Sequence, residues 1–299
     1  MTTLRRLLAQ PAGLVGLALV ATVVLLALLA PWIAPYDPLA IDLPAKLAPP
    51  SARHWMGTDQ AGRDILSRVL WGARPSLTVG LLAVAIGAVG GVAVGLSAGF
   101  LGGLWEEIAM RAVDGLAAIP MLVWAIAMVG IIGVGAVQVG PWSLPNESKI
   151  VVLVGLLYIP PLARVTYGAV LVEAKADYVK ARRMQGAPAS AIMVGDVLPN
   201  CLSPVIVQGT LLVAVGIVVE ASLSFVGLGV EPPNPSWGAM LADARNYIFS
   251  GEWWSPVFPG LAISLSVIGF NLLGDALRDG LDPRKAQAGG SAAMAGLAG

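Results

Sequence analysis

The chain consists of long, uncharged apolar runs separated by short polar segments. A transmembrane helix needs about 20 apolar residues in succession to cross the hydrocarbon core of a bilayer. Runs of this length lie between residues 6 and 37, at 76–104, from 115 to about 139, and at about 150–172, 197–219 and 256–274. The pattern therefore predicts an all-α integral membrane protein with about six transmembrane helices.

The composition supports a membrane protein and argues against several other classes. Hydrophobic residues make up 57% of the chain and charged residues only 12%, whereas soluble domains carry roughly a quarter charged residues. The formal net charge is zero, so we expect no nucleic-acid partner. With one cysteine, Cys201, and one histidine, His54, we expect neither an internal disulfide nor a cysteine–histidine metal site.

Basic residues indicate the orientation, because cytoplasmic loops carry an excess of lysine and arginine. Three basic groups fall on one side of a six-span protein: Arg5 and Arg6; Lys175, Lys180, Arg182 and Arg183; and Arg278, Arg284 and Lys285. Another group lies between the first two spans and weakens the asymmetry: Lys46, Arg53, Arg63, Arg68 and Arg74. The agreement of the first three groups predicts that both the N and C termini are cytoplasmic.

The spans divide the chain into three parts. Residues 1–75 contain the N-terminal cytoplasmic tip, the first span and an external amphipathic segment. Residues 76–285 contain a five-helix core with a short cytoplasmic helix near 177–188. Residues 286–299 form a low-complexity tail that we expect to be disordered.

The external segment combines charged and apolar residues at helical spacings. Four charged residues are placed for ion pairs one turn apart: Asp59, Arg63, Asp64 and Arg68. Apolar residues such as Ile65 and Val69 lie among them, which predicts an amphipathic helix on the outer membrane surface. We expect three tryptophans at the same interface: Trp237, Trp253 and Trp254.

Glycine recurs every four residues in the second span, at Gly87, Gly91, Gly95 and Gly99. Small residues at this spacing form a shallow ridge that lets another helix backbone approach closely in lipid. The partner helix belongs either to this chain or to another subunit, and we favour packing within this chain.

The sequence lacks the motifs of an ATP-binding or metal-dependent enzyme. Neither the phosphate-binding pattern GxxxxGK[ST] nor the zinc pattern HExxH occurs. Charges inside the apolar runs are confined to Arg164 and Glu220, near span ends, whereas proton-coupled carriers usually bury carboxylates at mid-membrane. We therefore expect a protein that is not itself an enzyme, holds no metal, and takes its energy from elsewhere.

A short basic segment at residues 177–188, with the sequence DYVKARRMQGAP, interrupts the apolar pattern. Aspartate is a good helix N-cap, so Asp177 predicts where a helix begins. Gly186 stands where a left-handed residue would end that helix, and Pro188 prevents simple continuation. The segment predicts a helix of about two turns, facing a partner or serving as an anchor at the lipid headgroups.

This segment resembles the EAA loop of importer-type ABC transporter permeases. That pattern is Glu-Ala-Ala, three residues, Gly, nine residues, then Ile-x-Leu-Pro. The corresponding residues here are Lys180, Ala181, Arg182, Gly186, Asp196, Leu198 and Pro199. Lys180 stands in place of the glutamate, Arg182 in place of the second alanine and Asp196 in place of the isoleucine. The resemblance implies that 177–188, including Asp177, is a coupling helix that contacts ATPase subunits.

Three further stretches resemble the second permease subunit of dipeptide, oligopeptide and nickel importers. They are GTDQAGRDILSRVLWGARPSLTVG at 57–80, EASLSFVGLGVEPPNPSWGAML at 220–241 and LGDALRDGLDPR at 273–284. Together with the EAA-like loop, the resemblance runs from about residue 10 to 285. It implies the type I permease fold of ABC importers, in a bacterial inner membrane.

The resemblance also implies a set of partners. These are a homologous permease subunit, two ABC ATPase subunits that bind ATP and magnesium, an external substrate-binding protein, and membrane lipid. No cofactor is expected in this chain, and no residue is assigned to the substrate. Dipeptides or short oligopeptides are the favoured cargo, while nickel complexes, glutathione and oligosaccharides stay open. An ion-coupled secondary transporter is the rival from another class.

Overall fold

The computed structural model describes residues 10–133, 135, 137–139, 142–247 and 250–281. The tail at 286–299 and four of the basic residues used for the orientation, Arg5, Arg6, Arg284 and Lys285, lie outside this part of the chain. The α-helices of eight or more residues are α1 (Pro11–Ile33), α2 (Ile65–Leu101), α3 (Gly103–Ala117), α4 (Met121–Ile132), α5 (Asn146–Glu173), α6 (Asp177–Met184), α7 (Leu198–Phe225), α8 (Trp237–Ala244) and α9 (Trp254–Leu281). Two short strands, β1 (Val137–Val139) and β2 (Trp142–Leu144), form an antiparallel hairpin.

Five helical segments are long and apolar enough to cross a membrane: α1, α2, α5, α7 with the turns before it from Ala189, and α9. A sixth span results when α3 and α4, which meet at 86°, are counted together. The prediction of about six spans is confirmed. The continuous third span predicted up to 139 is wrong, because the helix is broken at 118–120 and residues 137–139 form strand β1. Pro120 lacks the N–H that would continue the helical hydrogen bonds across this break.

The second span begins much earlier than predicted. Helix α2 begins at Ile65 rather than at residue 76, so the division placed after residue 75 falls inside a helix. Asp64 is the N-cap of α2, and its carboxylate accepts a hydrogen bond from the amide of Ser67 at 2.8 Å. Pro75 lies within α2 without ending it.

The glycine ridge of α2 lies against α5. A Cβ built on Gly91 would come within 2.7 Å of Leu162 Cβ, and one built on Gly99 would come within 2.9 Å of Val170 Cγ1. Cβ atoms on Gly87 and Gly95 would overlap Tyr158 and the carbonyl of Ala163, respectively. The absence of side chains therefore sets how closely the two helices approach, and the contact lies within this chain.

Two apolar clusters hold the spans together. One is formed by buried residues of α2, α4, α5 and α7, among them Val79, Leu162 and Leu212. The other joins α1, α2, α7 and α9 around Ile217 and Phe270. Because both clusters contain residues of α2 and α7, these two helices connect the peripheral α1 and α9 to the rest of the bundle.

The loops form two groups at opposite ends of the bundle. At the α6 end, α2 ends, α5 ends and α7 begins, and Leu96, Val170, Val179, Ile192, Val197 and Cys201 pack together there. At the hairpin end, the segment before α2, the start of α5 and the loops around α8 meet.

Candidate functional site

Helix α6 has the predicted length of about two turns. Its N-cap residue, however, lies one position earlier than predicted. Ala176 is the N-cap, and Asp177 is the first helical residue with no capping hydrogen bond from its side chain. The prediction that Asp177 caps the helix is therefore wrong. Its carboxylate instead accepts a hydrogen bond from Lys180 Nζ at 2.8 Å, which lowers the pKa of Asp177.

The end of α6 is fixed by two backbone hydrogen bonds around Gly186. The amide of Gly186 donates to the carbonyl of Arg183 at 3.0 Å, and the amide of Ala187 donates to that of Arg182 at 3.2 Å. This pair of bonds is the Schellman arrangement, in which the residue after the cap is left-handed. Gly186 has φ of +76°, a conformation that costs any other L-residue free energy.

One face of α6 is packed against the bundle. Val179 is fully buried in the apolar cluster of the α6 end. The guanidinium of Arg183 lies over the ring of Phe100 in α2, at 5.2 Å from its centroid. These contacts seat the helix beside the ends of α2 and α5.

Polar contacts join α6 to the start of α7. Arg182 Nε donates to Asp196 Oδ2 at 2.9 Å. One turn earlier in α6, the hydroxyl of Tyr178 accepts from Asn200 Nδ2 at 3.1 Å and donates to Glu173 Oε1 at 2.6 Å. Burial, and then the bond to Glu173, raise the pKa of Tyr178. The amide of Asn200 also donates to the carbonyl of Asp196 at 2.9 Å.

The opposite face of α6 is exposed. Lys180 points outward, Ala181 is half-buried, and Met184 is 83% exposed. The exposed face of α6 thus combines a paired charge with one large apolar side chain.

Leu198 and Pro199, the last residues of the EAA-like pattern, stand at the beginning of α7. The six residues before them, Ile192–Val197, form a π-helical turn that continues directly into α7. Pro199 has no N–H for the carbonyl one turn back, so the α-helical bonding cannot run unchanged through this point. Asp196 therefore projects from an irregular turn rather than from a regular helix.

At the hairpin end, the four charged residues predicted to lie on an amphipathic surface helix are largely buried. Asp59 and Arg63 lie in the loop before α2, Asp64 caps it, and Arg68 is within its first turns with 2% of its surface exposed. The predicted surface helix is wrong, because this segment is a loop followed by the start of a span. The apolar residue Ile65 is buried and does not face lipid.

The predicted ion pair between Asp59 and Arg63 does form. Arg63 Nε donates to Asp59 Oδ2 at 2.7 Å, and Arg68 Nε lies 3.5 Å from the same oxygen. Arg63 also donates to Asp243 of α8 at 3.2 Å. The charges therefore connect the loop before α2 with a helix far along the chain.

Asp64 is the centre of a second group in the same loop. One carboxylate oxygen lies 2.9 Å from His54 Nδ1, and the other accepts from the hydroxyl of Ser67 at 2.8 Å. The hydroxyl of Ser67 accepts from the amide of Tyr36 at 3.1 Å, which joins the end of α1 to the group. The only histidine of the chain is thus a buried part of the loop.

Two of the three tryptophans expected at the membrane interface are buried instead. The indole of Trp237 donates to the carbonyl of Val69 at 3.0 Å, and that of Trp254 donates to the carbonyl of Thr58 at 3.2 Å. Trp253 is exposed, as an interfacial residue would be. The sequence did not distinguish them because indole is as suited to a core with a backbone acceptor as to an interface.

A buried carboxylate at Glu220 was missed as a site residue. Its side chain is fully enclosed and accepts hydrogen bonds from Ser76 of α2 at 2.6 Å and from Ser224 at 2.7 Å. Ser224 also accepts from the amide of Val230, so the loop after α7 is tied to two spans. The sequence signal was a single acidic residue in an otherwise uncharged run.

The described residues contain no group of three or more histidine, cysteine, aspartate or glutamate side chains placed to hold a metal ion. The ion pair between Arg164 and Asp114, with Nη2 and Oδ1 2.7 Å apart, joins α5 to α3. The α6 end therefore presents a short exposed helix, and the hairpin end presents a loop system joined by many hydrogen bonds.

The described residues form a multi-span membrane bundle with a short exposed helix between two spans, and comparison with known proteins identifies it as a membrane permease subunit. A model described as "Binding-protein-dependent transport system inner membrane component" matches residues 91–287, and one described as "N-terminal TM domain of oligopeptide transport permease C" matches residues 2–50. The chain belongs to this family of inner-membrane permeases.

Curated relatives match almost end to end. The di/tripeptide transport system permease protein DppC of Pseudomonas aeruginosa is 44% identical over 90% of this chain and 87% of its own. The dipeptide transport system permease protein DppC of Escherichia coli K12 is 44% identical over 92% of this chain and 90% of its own length. The probable D,D-dipeptide transport system permease protein DdpC of the same strain is 39% identical over 92% of this chain and 88% of its own length.

Proposed function

We propose that this chain is one of two permease subunits of an ATP-driven importer of dipeptides or short oligopeptides. The observation that carries the proposal is the 44% identity, over 90% of the chain, to a permease named for di- and tripeptides. A homologous permease subunit completes the path through the membrane. ATP hydrolysis is carried out by two partner ATPase subunits, and an external binding protein delivers the cargo.

Helix α6 is the part of the chain that receives motion from the ATPases. Support comes from its end at Gly186, which two backbone hydrogen bonds fix, from its buried Val179 and from its exposed opposite face. A helix held this firmly moves with the bundle as one body. The ATPases contact the side that carries Lys180, Ala181 and Met184, and the left-handed Gly186 sets the direction in which the chain leaves.

At the hairpin end, the proposed role of the charged residues is to shape the outer loops. Asp59, Arg63, Asp64 and Arg68 use their hydrogen-bonding groups inside the loop system and leave little surface for a partner. The binding protein therefore docks on residues that this framework presents.

The proposed orientation places the α6 end in the cytoplasm. A membrane-impermeant thiol reagent applied to intact cells is expected to label cysteines introduced in the loop at Pro233 and to leave one at Lys180 unlabelled. Labelling at Lys180 in intact cells, with Pro233 protected, overturns the orientation. Cys201 is buried, and replacing it by serine removes background labelling.

The cargo and the energy source are tested with the complete complex in proteoliposomes. We expect uptake of a labelled dipeptide that requires ATP and the binding protein and persists when an ionophore removes ion gradients. Uptake that collapses with the gradient and ignores ATP supports the ion-coupled rival. Uptake of a nickel complex, glutathione or an oligosaccharide in place of the peptide overturns the cargo assignment.

A further inference from the structure

The two residues that depart from apolar positions of the EAA-like pattern contact each other. Arg182 stands in place of an alanine and Asp196 in place of an isoleucine, and Arg182 Nε donates to Asp196 Oδ2 at 2.9 Å. Their side chains are 44% and 26% exposed, respectively. Two substitutions that look unrelated in the sequence are therefore one ion pair in the structure.

A second contact lies one helical turn away on both helices. Tyr178 precedes Arg182 by four residues in α6, and Asn200 follows Asp196 by four residues at the start of α7. Tyr178 and Arg182 share a face of α6 because they are four residues apart on an α-helix, and the side-chain amide of Asn200 donates to the carbonyl of Asp196, so the two contacts are side by side. The amide of Asn200 links them, because it donates to Tyr178 Oη and to the carbonyl of Asp196.

We propose that these four residues, which we name the α6–α7 lock, set the angle at which α6 is presented to its ATPase partner. An apolar contact between an alanine and an isoleucine has no preferred direction, whereas a hydrogen-bonded ion pair does. The irregular turn at Ile192–Val197 places Asp196 beside α6, where Arg182 reaches it. The buried side chain of Val179 is the point about which α6 could otherwise turn. Arg182 and Asp196 are positioning residues and do not contact cargo or nucleotide.

Each of the three basic residues of α6 has a contact of its own. Arg182 is bonded to Asp196, Arg183 lies over Phe100, and Lys180 is bonded to Asp177 of its own helix. The lock accounts for one of these three contacts, and all three basic side chains keep exposed surface. This inference rests on the proposed role of α6 as the coupling helix.

Amide hydrogen exchange of residues 177–185 in the assembled complex tests the lock without requiring transport. Arg182→Ala and Asp196→Ala are each expected to speed exchange on the order of two- to five-fold, as suits a half-exposed pair. The double alanine variant should be no worse than either single one, since both remove the same contact. The reversed pair, R182D with D196R, should restore slow exchange.

The salt dependence of amide exchange is a second measurement. It would not change if Arg182 and Asp196 only filled space. High salt should speed exchange in the natural chain, because the pair is partly exposed to screening ions. The variant R182A with D196I restores the apolar pattern, and its exchange should stay slow and become insensitive to salt. Arg111→Ala is the matched control, because Arg111 is an exposed basic residue whose partner Glu107 lies one turn away in its own helix, α3.

In proteoliposomes, the single variants are expected to transport less peptide per ATP hydrolysed with an unchanged KM for peptide, and the reversed pair to recover. Independent, additive effects of the two alanine variants on exchange overturn the lock, and so does the absence of any effect. If the natural complex takes up no peptide, the proposed function fails, while the exchange measurements still decide the lock.

Discussion

The two ends of the bundle hold their charged residues in different ways. At the hairpin end, Asp59, Asp64 and Arg68 are buried and each has more than one partner. At the α6 end, Arg182 and Asp196 are partly exposed and form a single ion pair. Removing one partner of a buried charge leaves the other uncompensated, whereas a partly exposed pair contributes little to global stability. The first arrangement fixes the fold, and the second sets an orientation.

The largest effect is expected at the hairpin end. Asp59→Ala leaves Arg63 and the buried Arg68 without their shared carboxylate and should lower the free energy of unfolding by about 3–5 kcal/mol. Thermal unfolding in detergent measures it. Arg53→Ala is the matched control, because Arg53 and its partner Asp42 are exposed. Equal melting temperatures for the two variants would show that the buried charges do not fix the loop.

The glycine ridge is expected to give the next largest effect. Gly91→Leu should strain the contact with Leu162 and cost roughly 1–3 kcal/mol or more through overpacking. Gly168→Leu in α5 is the control, since a Cβ built on Gly168 meets no atom within 4 Å. The thermal unfolding assay separates them. A Gly91→Leu chain as stable as the natural one, and equally well assembled, would contradict the close packing of α2 on α5.

A smaller and more local effect is expected at the end of α6. No atom lies within 4 Å of a Cβ built on Gly186, so Gly186→Val acts only through the left-handed backbone, at a cost of about 1 kcal/mol or more. Amides of α6 should exchange faster while the global melting temperature stays nearly constant. Gly186→Asn is the control, because asparagine tolerates this conformation better. Equal exchange in both variants counts against the capping role.

The smallest effect is expected for Lys180→Ala. Lys180 and Asp177 are both exposed, and pairs of this kind add little to folding. The melting temperature should not change measurably, and stimulation of ATP hydrolysis by peptide-loaded binding protein should fall if the ATPases contact this face. A clear loss of stability would show that the α6 end is built like the hairpin end after all.

The sequence predicted the features that depend on local pattern. The number of spans follows from the length of apolar runs, the ridge from the four-residue spacing of Gly87 to Gly99, and the end of α6 from Gly186. These properties need no knowledge of which segments meet. The break before Pro120 was the exception, since a single proline inside an apolar run is often tolerated in a span.

The features that the sequence did not reveal depend on distant contacts. Arg63 meets Asp243, Trp237 meets Val69, and Ser76 meets Glu220, each across more than 140 residues of chain. Spacing along the chain placed Asp59 and Arg63 one turn apart but gave no sign that a loop would bury them. Asp177 was wrongly predicted as the N-cap of α6. Its carboxylate accepts a hydrogen bond from Lys180, three residues later, instead of from a backbone amide.

The enclosure of Glu220 has a consequence for how the protein is made. Its hydrogen-bond partner Ser76 lies 144 residues earlier in the chain. Because synthesis runs from the N terminus, the ribosome delivers the hydroxyl well before the carboxylate. A lone carboxylate in an apolar segment enters a bilayer only at a cost. The helix that carries Glu220 therefore reaches the membrane after its hydrogen-bond donor, Ser76, has been made, so this one pair of side chains implies an order of assembly.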